Sequence, residues 1–206
     1  MSGVQTAVHG VVYGCIVVFA VTWVGAAVYF GSRGAGSPER RRAWLRSLRA
    51  SMPARVALVA GILVLIELTR RPDGPFWRHL QYWNPVLGVA GAALTVAATA
   101  LLVWSRLVLG VMWAGVPLVQ EGHELRTTGP YGLVRHPIYT GLLGLVLGAA
   151  LGLGFGVWVL YTAVTVPWAL HRVRVEDDLM AAEFGDRFLA YRLRVPALLP
   201  RRVRRR

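Results

Sequence analysis

The first thirty residues constrain this chain most. From Val8 to Phe30 no Arg, Lys, Asp or Glu interrupts an apolar run. About 20 such residues in a helix cross the hydrocarbon core of a bilayer. In lipid every backbone polar group needs an internal partner, so a helix is the form such a run takes. Met1 to Thr6 carries no charged side chain, and the run is longer than the apolar core of a cleavable leader, so a retained first span is expected. The run is not isolated. Hydrophobic residues make up 55% of the 206, above the share of an ordinary soluble domain. No stretch is left over for a large water-soluble domain.

Charge orients the spans. The net charge is +13, and all 23 basic residues are arginine. They cluster from Arg33 to Arg55 and from Arg172 to Arg206. In a soluble protein such clusters suggest nucleic acid. Beside apolar spans they read as cytoplasmic loops drawn to anionic lipid, so the expected partner is the bilayer and not a nucleic acid. The loop 31–55 is then cytoplasmic and the N-terminus faces out. Arginine usage itself suggests a GC-rich genome, hence a bacterial inner membrane.

Further spans follow. Val56–Leu68 is short, but Arg55 and Arg70 can snorkel at its ends. Val86–Trp104 is crowded with Gly and Ala, which permits close helix packing. Leu107–Val119 can prolong that span or lie along the interface, and the interfacial placement is the one expected. Ile138–Leu170 is too long for one crossing. Gly152, Gly154 and Gly156 make a turn cheap within it, so a helical hairpin with both ends cytoplasmic is expected. Those glycines also match GxGxG, but no acidic partner follows and the setting is apolar, so they are not read as a nucleotide loop. Beyond His171 the chain is charged, and Met180, Phe184, Phe188 and Tyr191 recur at helical spacing. That suits an amphipathic helix lying on the membrane, with Gly185 as a point where it breaks. The lone Cys15 forms no internal disulfide and belongs to no metal-ligand pattern, so no metal is expected. The fold class is therefore an all-α integral membrane protein. It has about five transmembrane helices, a C-terminal hairpin and a cytoplasmic amphipathic tail. Residues 1–106 form the N-terminal spans, and 107–206 form the functional core.

Two polar clusters flank the hairpin. His123, Glu124, Arg126, Tyr131, Arg135, His136 and Tyr139 precede it; Arg172, Glu176 and Asp177 follow it. Closing the hairpin brings both to one membrane face. Pro137 keeps His136 out of the helical region and suits the first position of the next helix. His136 then stands at a helix N-terminus, which favours an anion. Arg172 and Glu176 are one turn apart on one face. A purely structural cluster of headgroup anchors and ion pairs would use the same residues.

The segments "HELRTTGPYGLVRHPIYTG" and "EDDLMAAEFGDRFLAYRLRVPALLP" resemble the isoprenylcysteine carboxyl methyltransferase family and its relatives the phospholipid methyltransferases. The resemblance covers Gly110 to Pro200 and leaves the first two spans without a signature. It implies S-adenosylmethionine as cofactor, bound between the cytoplasmic ends of the last helices. Its contacts would be His123, Glu124, Leu125, Arg126, Tyr131, His136, Pro137, Ile138, Tyr139 and Glu176. Arg172 matches a substrate-side arginine, and Arg172 and Glu176 are the implied catalytic pair. Asp177 replaces a glutamate of the family pattern, Arg126 a valine and Phe188 a tyrosine. The implied acceptor is lipophilic or small: an isoprenylcysteine-like carboxylate, a phospholipid amine or a thiol. Two other readings use the same scaffold, an NADPH-dependent sterol-reductase-like enzyme and a non-catalytic membrane scaffold. The active site and C-terminus are expected on the cytoplasmic side.

Overall fold

A computed structural model describes residues 2–34, 79–110 and 125–200. Five α-helices lie among them: α1 (Gly3–Gly34), α2 (Pro85–Leu109), α3 (Pro137–Leu153), α4 (Trp158–Phe184) and α5 (Asp186–Arg194). A 3-10 turn, Gly129–Gly132, precedes α3. No strand occurs among the described residues, only an isolated bridge between Gln81 and Phe155.

Local chemistry sets the helix ends. Asn84 caps α2 by accepting from the Val86 and Leu87 N–H groups at 2.9 and 3.4 Å, and Pro85 fills the first helical position. The helix then runs to Leu109. It therefore passes the expected end at Trp104, crosses the 106/107 boundary, and takes in Leu107–Leu109, which the sequence assigned to an interfacial piece. Arg106 explains the extension, because its guanidinium folds onto the Gly110 carbonyl at 2.8 Å and satisfies the helix end. Most of the expected interfacial piece, and the expected span Val56–Leu68, lie outside the described residues.

Helices α2 and α3 meet at van der Waals distance through glycine. A Cβ placed on Gly148 would fall 2.8 Å from the Thr95 nitrogen and 2.9 Å from the Gly91 oxygen. One on Gly141 would fall 2.6 Å from Leu102. Small side chains at these positions are what let two backbones approach so closely. Ala98, Leu102 and Leu145 form the buried centre, and Ile16, Phe19 and Trp23 of α1 pack against it. The outer faces stay apolar: Val21, Val24 and Val28 of α1 are 66%, 66% and 68% exposed. Such an exposed apolar face suits lipid contact.

Two described helices are long and apolar enough to cross a membrane, over Gly3–Tyr29 and Pro85–Leu109. Helix α3 is apolar but shorter. Helix α4 carries Pro167 inside it and turns polar from His171 onward. Helices α3 and α4 form the hairpin, with Gly154 at φ 87° ending the first arm. Gly185, at φ 50°, separates α4 from α5. Helix α5 covers only part of its apolar surface with protein, and Leu189 and Leu193 stay exposed. Phe188 and Tyr191 are buried in the protein, and the Tyr191 hydroxyl donates to the Tyr131 carbonyl at 2.5 Å.

Candidate functional site

At the open end of the hairpin, residues some forty positions apart come into contact. His136 caps α3 with φ −123° and ψ 62°, outside the helical region, as the following proline requires. This aims its ring at the last polar turns of α4. There Asp177 accepts from Nε2 at 2.8 Å, and Glu176 lies 3.5 Å from Nδ1. Asp177 also receives Arg135 in a forked pair, Nη2 to Oδ2 at 2.7 Å and Nε to Oδ1 at 3.4 Å. Such a fork combines charge with fixed geometry. One buried carboxylate thus serves a guanidinium and an imidazole.

Glu176 faces a second group. The Tyr139 hydroxyl donates to its Oε1 at 2.5 Å. Arg172 lies on both, with Nη2 3.2 Å from Oε1 and Nε 3.2 Å from the tyrosine oxygen. Trp168 stands edge-on to Tyr139 with ring centres 5.6 Å apart. Helical spacing explains the division of labour. Ala169, Val173 and Asp177 are the buried stripe of α4, at intervals of four. Arg172 and Glu176 sit one position over, at its edge. The Glu176 carboxylate remains 26% exposed, against 9% for Asp177.

The C-terminal segment closes one wall. The Arg135 and His136 N–H groups donate to the Pro196 and Ala197 carbonyls at 2.8 and 3.0 Å. The Thr140 hydroxyl donates to the Leu198 carbonyl at 2.7 Å. Arg135 Nη1 reaches the Val195 and Arg192 carbonyls, so its charge also sits at the C-terminal end of α5, where a cation is favoured.

Burial and charge oppose each other at the centre. Burial alone would lower the His136 pKa, but hydrogen bonds to Asp177 and Glu176 outweigh it, and the value stands above 6.5. Burial would raise Asp177, yet His136 and Arg135 hold it down to about 2. The Arg135–Asp177 pair is therefore ionic at neutral pH. Tyr131 is pushed up, first by burial and then by Glu176. Its hydroxyl is buried without a hydrogen-bond partner. A buried unpaired hydroxyl costs free energy, and a ligand that bonds it recovers that cost.

Of the expected site residues, the structure brings together His136, Tyr139, Arg172 and Glu176. Tyr131 lies near enough to Glu176 and Tyr139 to feel their charges. Pro137 is buried at the start of α3, and Ile138 packs on the central core. Leu125 and Arg126 are described, the first half-buried and the second exposed. His123 and Glu124 lie outside the described residues. The His136 ring meets two carboxylates, so it offers a ligand carboxylate less than the sequence suggests. Sequence reasoning placed Asp177 and Arg135 in the polar clusters flanking the hairpin but named neither as a site residue. The interval Ala169–Val173–Asp177 was the available signal, since it places an acid on an apolar stripe.

Residues 86–187 match the family model described as phospholipid methyltransferase. The chain is similar to the nickel-cobalt-cadmium resistance protein NccN of Alcaligenes xylosoxydans xylosoxydans. They are 33% identical over 125 residues, which is 55% of this chain and 52% of that protein. It is also similar to the protein-S-isoprenylcysteine O-methyltransferase of Schizosaccharomyces pombe, 35% identical over 81 residues, 39% of this chain and 34% of that one. A third relative is a delta(14)-sterol reductase of Methylotuvimicrobium alcaliphilum, 33% identical over 151 residues, 66% of this chain and 35% of that one. The chain thus spans about half or less of the length of these relatives.

Proposed function

We propose that this chain, which belongs through residues 86–187 to the phospholipid methyltransferase family, is an integral membrane methyltransferase using S-adenosylmethionine. Its acceptor is lipophilic or small. Residues 107–206 carry the cofactor and acceptor machinery, and 1–106 form the platform in the bilayer. The site and the C-terminus face the cytoplasm of a bacterial inner membrane. The observation that carries this reading is the Tyr139–Glu176–Arg172 group at the mouth of the hairpin.

The residues fit the cofactor. The partly exposed Glu176 carboxylate suits its ammonium. The unpartnered Tyr131 hydroxyl suits a hydrogen-bonding ligand, and the Tyr131 ring suits an adenine. His123, Glu124, Leu125, Arg126, Pro137 and Ile138 complete the proposed contacts. When bound, S-adenosylmethionine supplies a methyl group on a positively charged sulfur, open to in-line displacement. The protein's part is to orient and to exclude water. Tyr139 and Arg172 fix Glu176 from two sides. Arg172 also presents a cation to an acceptor arriving from the bilayer, as a carboxylate or thiolate would require. His136, Arg135 and Asp177 hold α3 and α4 in register. No side chain need act as a nucleophile.

Labelled S-adenosylmethionine binding to the purified protein, with NADPH as the competitor arm, tests the class. Binding of the first and not the second supports methyl transfer. NADPH binding alone would favour the sterol-reductase reading, which the third relative keeps in view, and binding of neither would leave a scaffold. A methyl-transfer assay on total membrane extract, with the labelled product identified by mass spectrometry, then names the acceptor.

A further inference from the structure

The two ring nitrogens of His136 have different partners, and the difference has a chemical consequence. Asp177 is held down to about 2, so it stays a carboxylate and can only accept. Nε2, 2.8 Å from Asp177 Oδ1, therefore carries the fixed proton of the ring. Titration is left to Nδ1, which lies 3.5 Å from Glu176 Oε2. An ionised Glu176 also only accepts. A protonated Nδ1 donates across that gap. A neutral Nδ1 turns a lone pair to it, and two acceptors then face each other.

Glu176 is divided in the same way. Its Oε1 takes the Tyr139 hydroxyl and Arg172, and its Oε2 is the oxygen on the His136 side. An ammonium brings three N–H donors and no acceptor. Oε2 and a neutral Nδ1 can each accept one of them from a nitrogen about 2.9 Å from both. An imidazolium at the same place would set two cations against each other, and burial strengthens that repulsion. Ligand and proton thus compete for one gap. We propose that Glu176 Oε2 and neutral His136 Nδ1 together form the subsite for the cofactor's ammonium, and that Asp177 is the positioning residue that turns Nδ1 toward it. The inference rests on the methyltransferase reading above. Binding breaks the Nδ1–H bond, and the proton leaves to solvent past the part-exposed Glu176. The ammonium keeps its own three protons.

The groups around the ring set the sense of the effect. Arg135 shares Asp177 with it, and the Tyr139 ring centre stands 5.9 Å away. From α4, Arg172 acts through Glu176. Tyr131 of the 3-10 turn feels the charge of Glu176, and Tyr191 of α5 that of Asp177. The C-terminal segment meets His136 through the Ala197 carbonyl. Burial opposes the charge on the ring, but hydrogen bonds to Asp177 and then Glu176 outweigh it and hold the imidazolium above its ordinary 6.5. The proton to be displaced is therefore present below that pH. There the protein must give it up to bind, so affinity should rise with pH by about tenfold per unit and level off above the folded value.

Isothermal titration calorimetry of the full chain in detergent with S-adenosylmethionine tests this. The range runs from about pH 5.5 to 7.5, where the ligand's own α-amino group keeps its proton. Two buffers of different ionisation heat count the protons exchanged. About one proton should be released per ligand near pH 6, with the rise in affinity given above. 5′-Methylthioadenosine, which has the adenosine and the sulfur but no ammonium, should bind without proton release. S-Adenosylmethionine binding with no release and flat affinity would overturn this inference and leave the methyltransferase reading standing. No binding at any pH would overturn both. Asp177→Asn removes one of the two carboxylates on the imidazole, so the break in the pH profile should move to lower pH. A merely structural Asp177 would lower stability and leave the break in place, which would overturn its positioning role. His136→Asn puts an amide near the place of Nδ1 and should bind with affinity independent of pH; a persisting slope would also overturn the proposal. Should those variants not fold, the proton count of the unaltered chain decides.

Discussion

Asp177 is the residue on which the open end of the hairpin turns. Replacing it by Asn leaves Arg135 and His136 buried without their counter-charge. Breaking a buried pair in this way costs about 3 kcal/mol or more, so Asp177→Asn should lower the thermal midpoint clearly. Glu176→Gln should behave differently. Its carboxylate is part-exposed, and an amide oxygen still accepts from Tyr139, so the fold should survive. Cofactor affinity should fall roughly tenfold or more with the lost charge; unchanged affinity in a titration would contradict the assigned pocket. The two shifted groups also define a pH window. Asp177, held near 2, contributes stability in full above its ordinary 3.8 and loses it as pH falls toward 2. His136, raised above 6.5, contributes in full below 6.5 and loses it as pH rises through its folded value. Stability should therefore peak between about pH 4 and 6.5 and decline on both sides, and a flat melting profile would count against the cluster. Tyr139 and Glu176 were legible as neighbours because one hairpin must join the segments that carry them. The double duty of Asp177 was not. It depends on the rotation of α4 about its axis, which motif spacing leaves open.

At the scale of elements, the α2–α3 contact is the least tolerant. Gly148→Leu would drive a side chain into the Thr95 backbone. Overpacking of this kind costs about 1–3 kcal/mol where neighbours can yield, and backbone yields least. Loss of folded protein after detergent extraction, with Gly10→Ala as a control in open space, checks this. The hairpin turn was readable from Gly152, Gly154 and Gly156, because glycine clusters mark turns in any apolar run. The end of α2 was misplaced by five residues, since Leu107–Leu109 are apolar and carry no stop signal. The helix stops at Gly110, which caps it at φ 54° with its carbonyl held by Arg106, and a hydropathy pattern registers neither. The tail was read as membrane-bound for a similar reason. An amphipathic face looks the same whether lipid or protein covers it, and here Tyr131 receives Tyr191.

For the whole molecule, the length of α3 places the hairpin turn and the ionic cluster at opposite ends. The proposed orientation then makes one end external and the other cytoplasmic. In a Cys15→Ser background, a cysteine at Tyr161 should react with a membrane-impermeant thiol reagent in intact cells. One at Arg192, which is exposed, should react only after lysis. The reverse pattern would invert the topology while leaving the fold intact. The sequence conveyed an oily helical chain with its arginines in two clusters, because composition and charge placement carry that. It could not convey which helices share a core, since α1, α2 and α3 are similarly apolar and any pairing satisfies lipid equally well.

The carbonyls of residues 195–198 that grip Arg135, His136 and Thr140 are the last part of the described chain to be synthesised. A ribosome that has just delivered α4 has already placed Glu176 and Asp177, yet the wall opposite them does not exist. On the proposed function, a chain cut before Pro196 would lack the carbonyls that hold Arg135, His136 and Thr140 and should fail to bind S-adenosylmethionine.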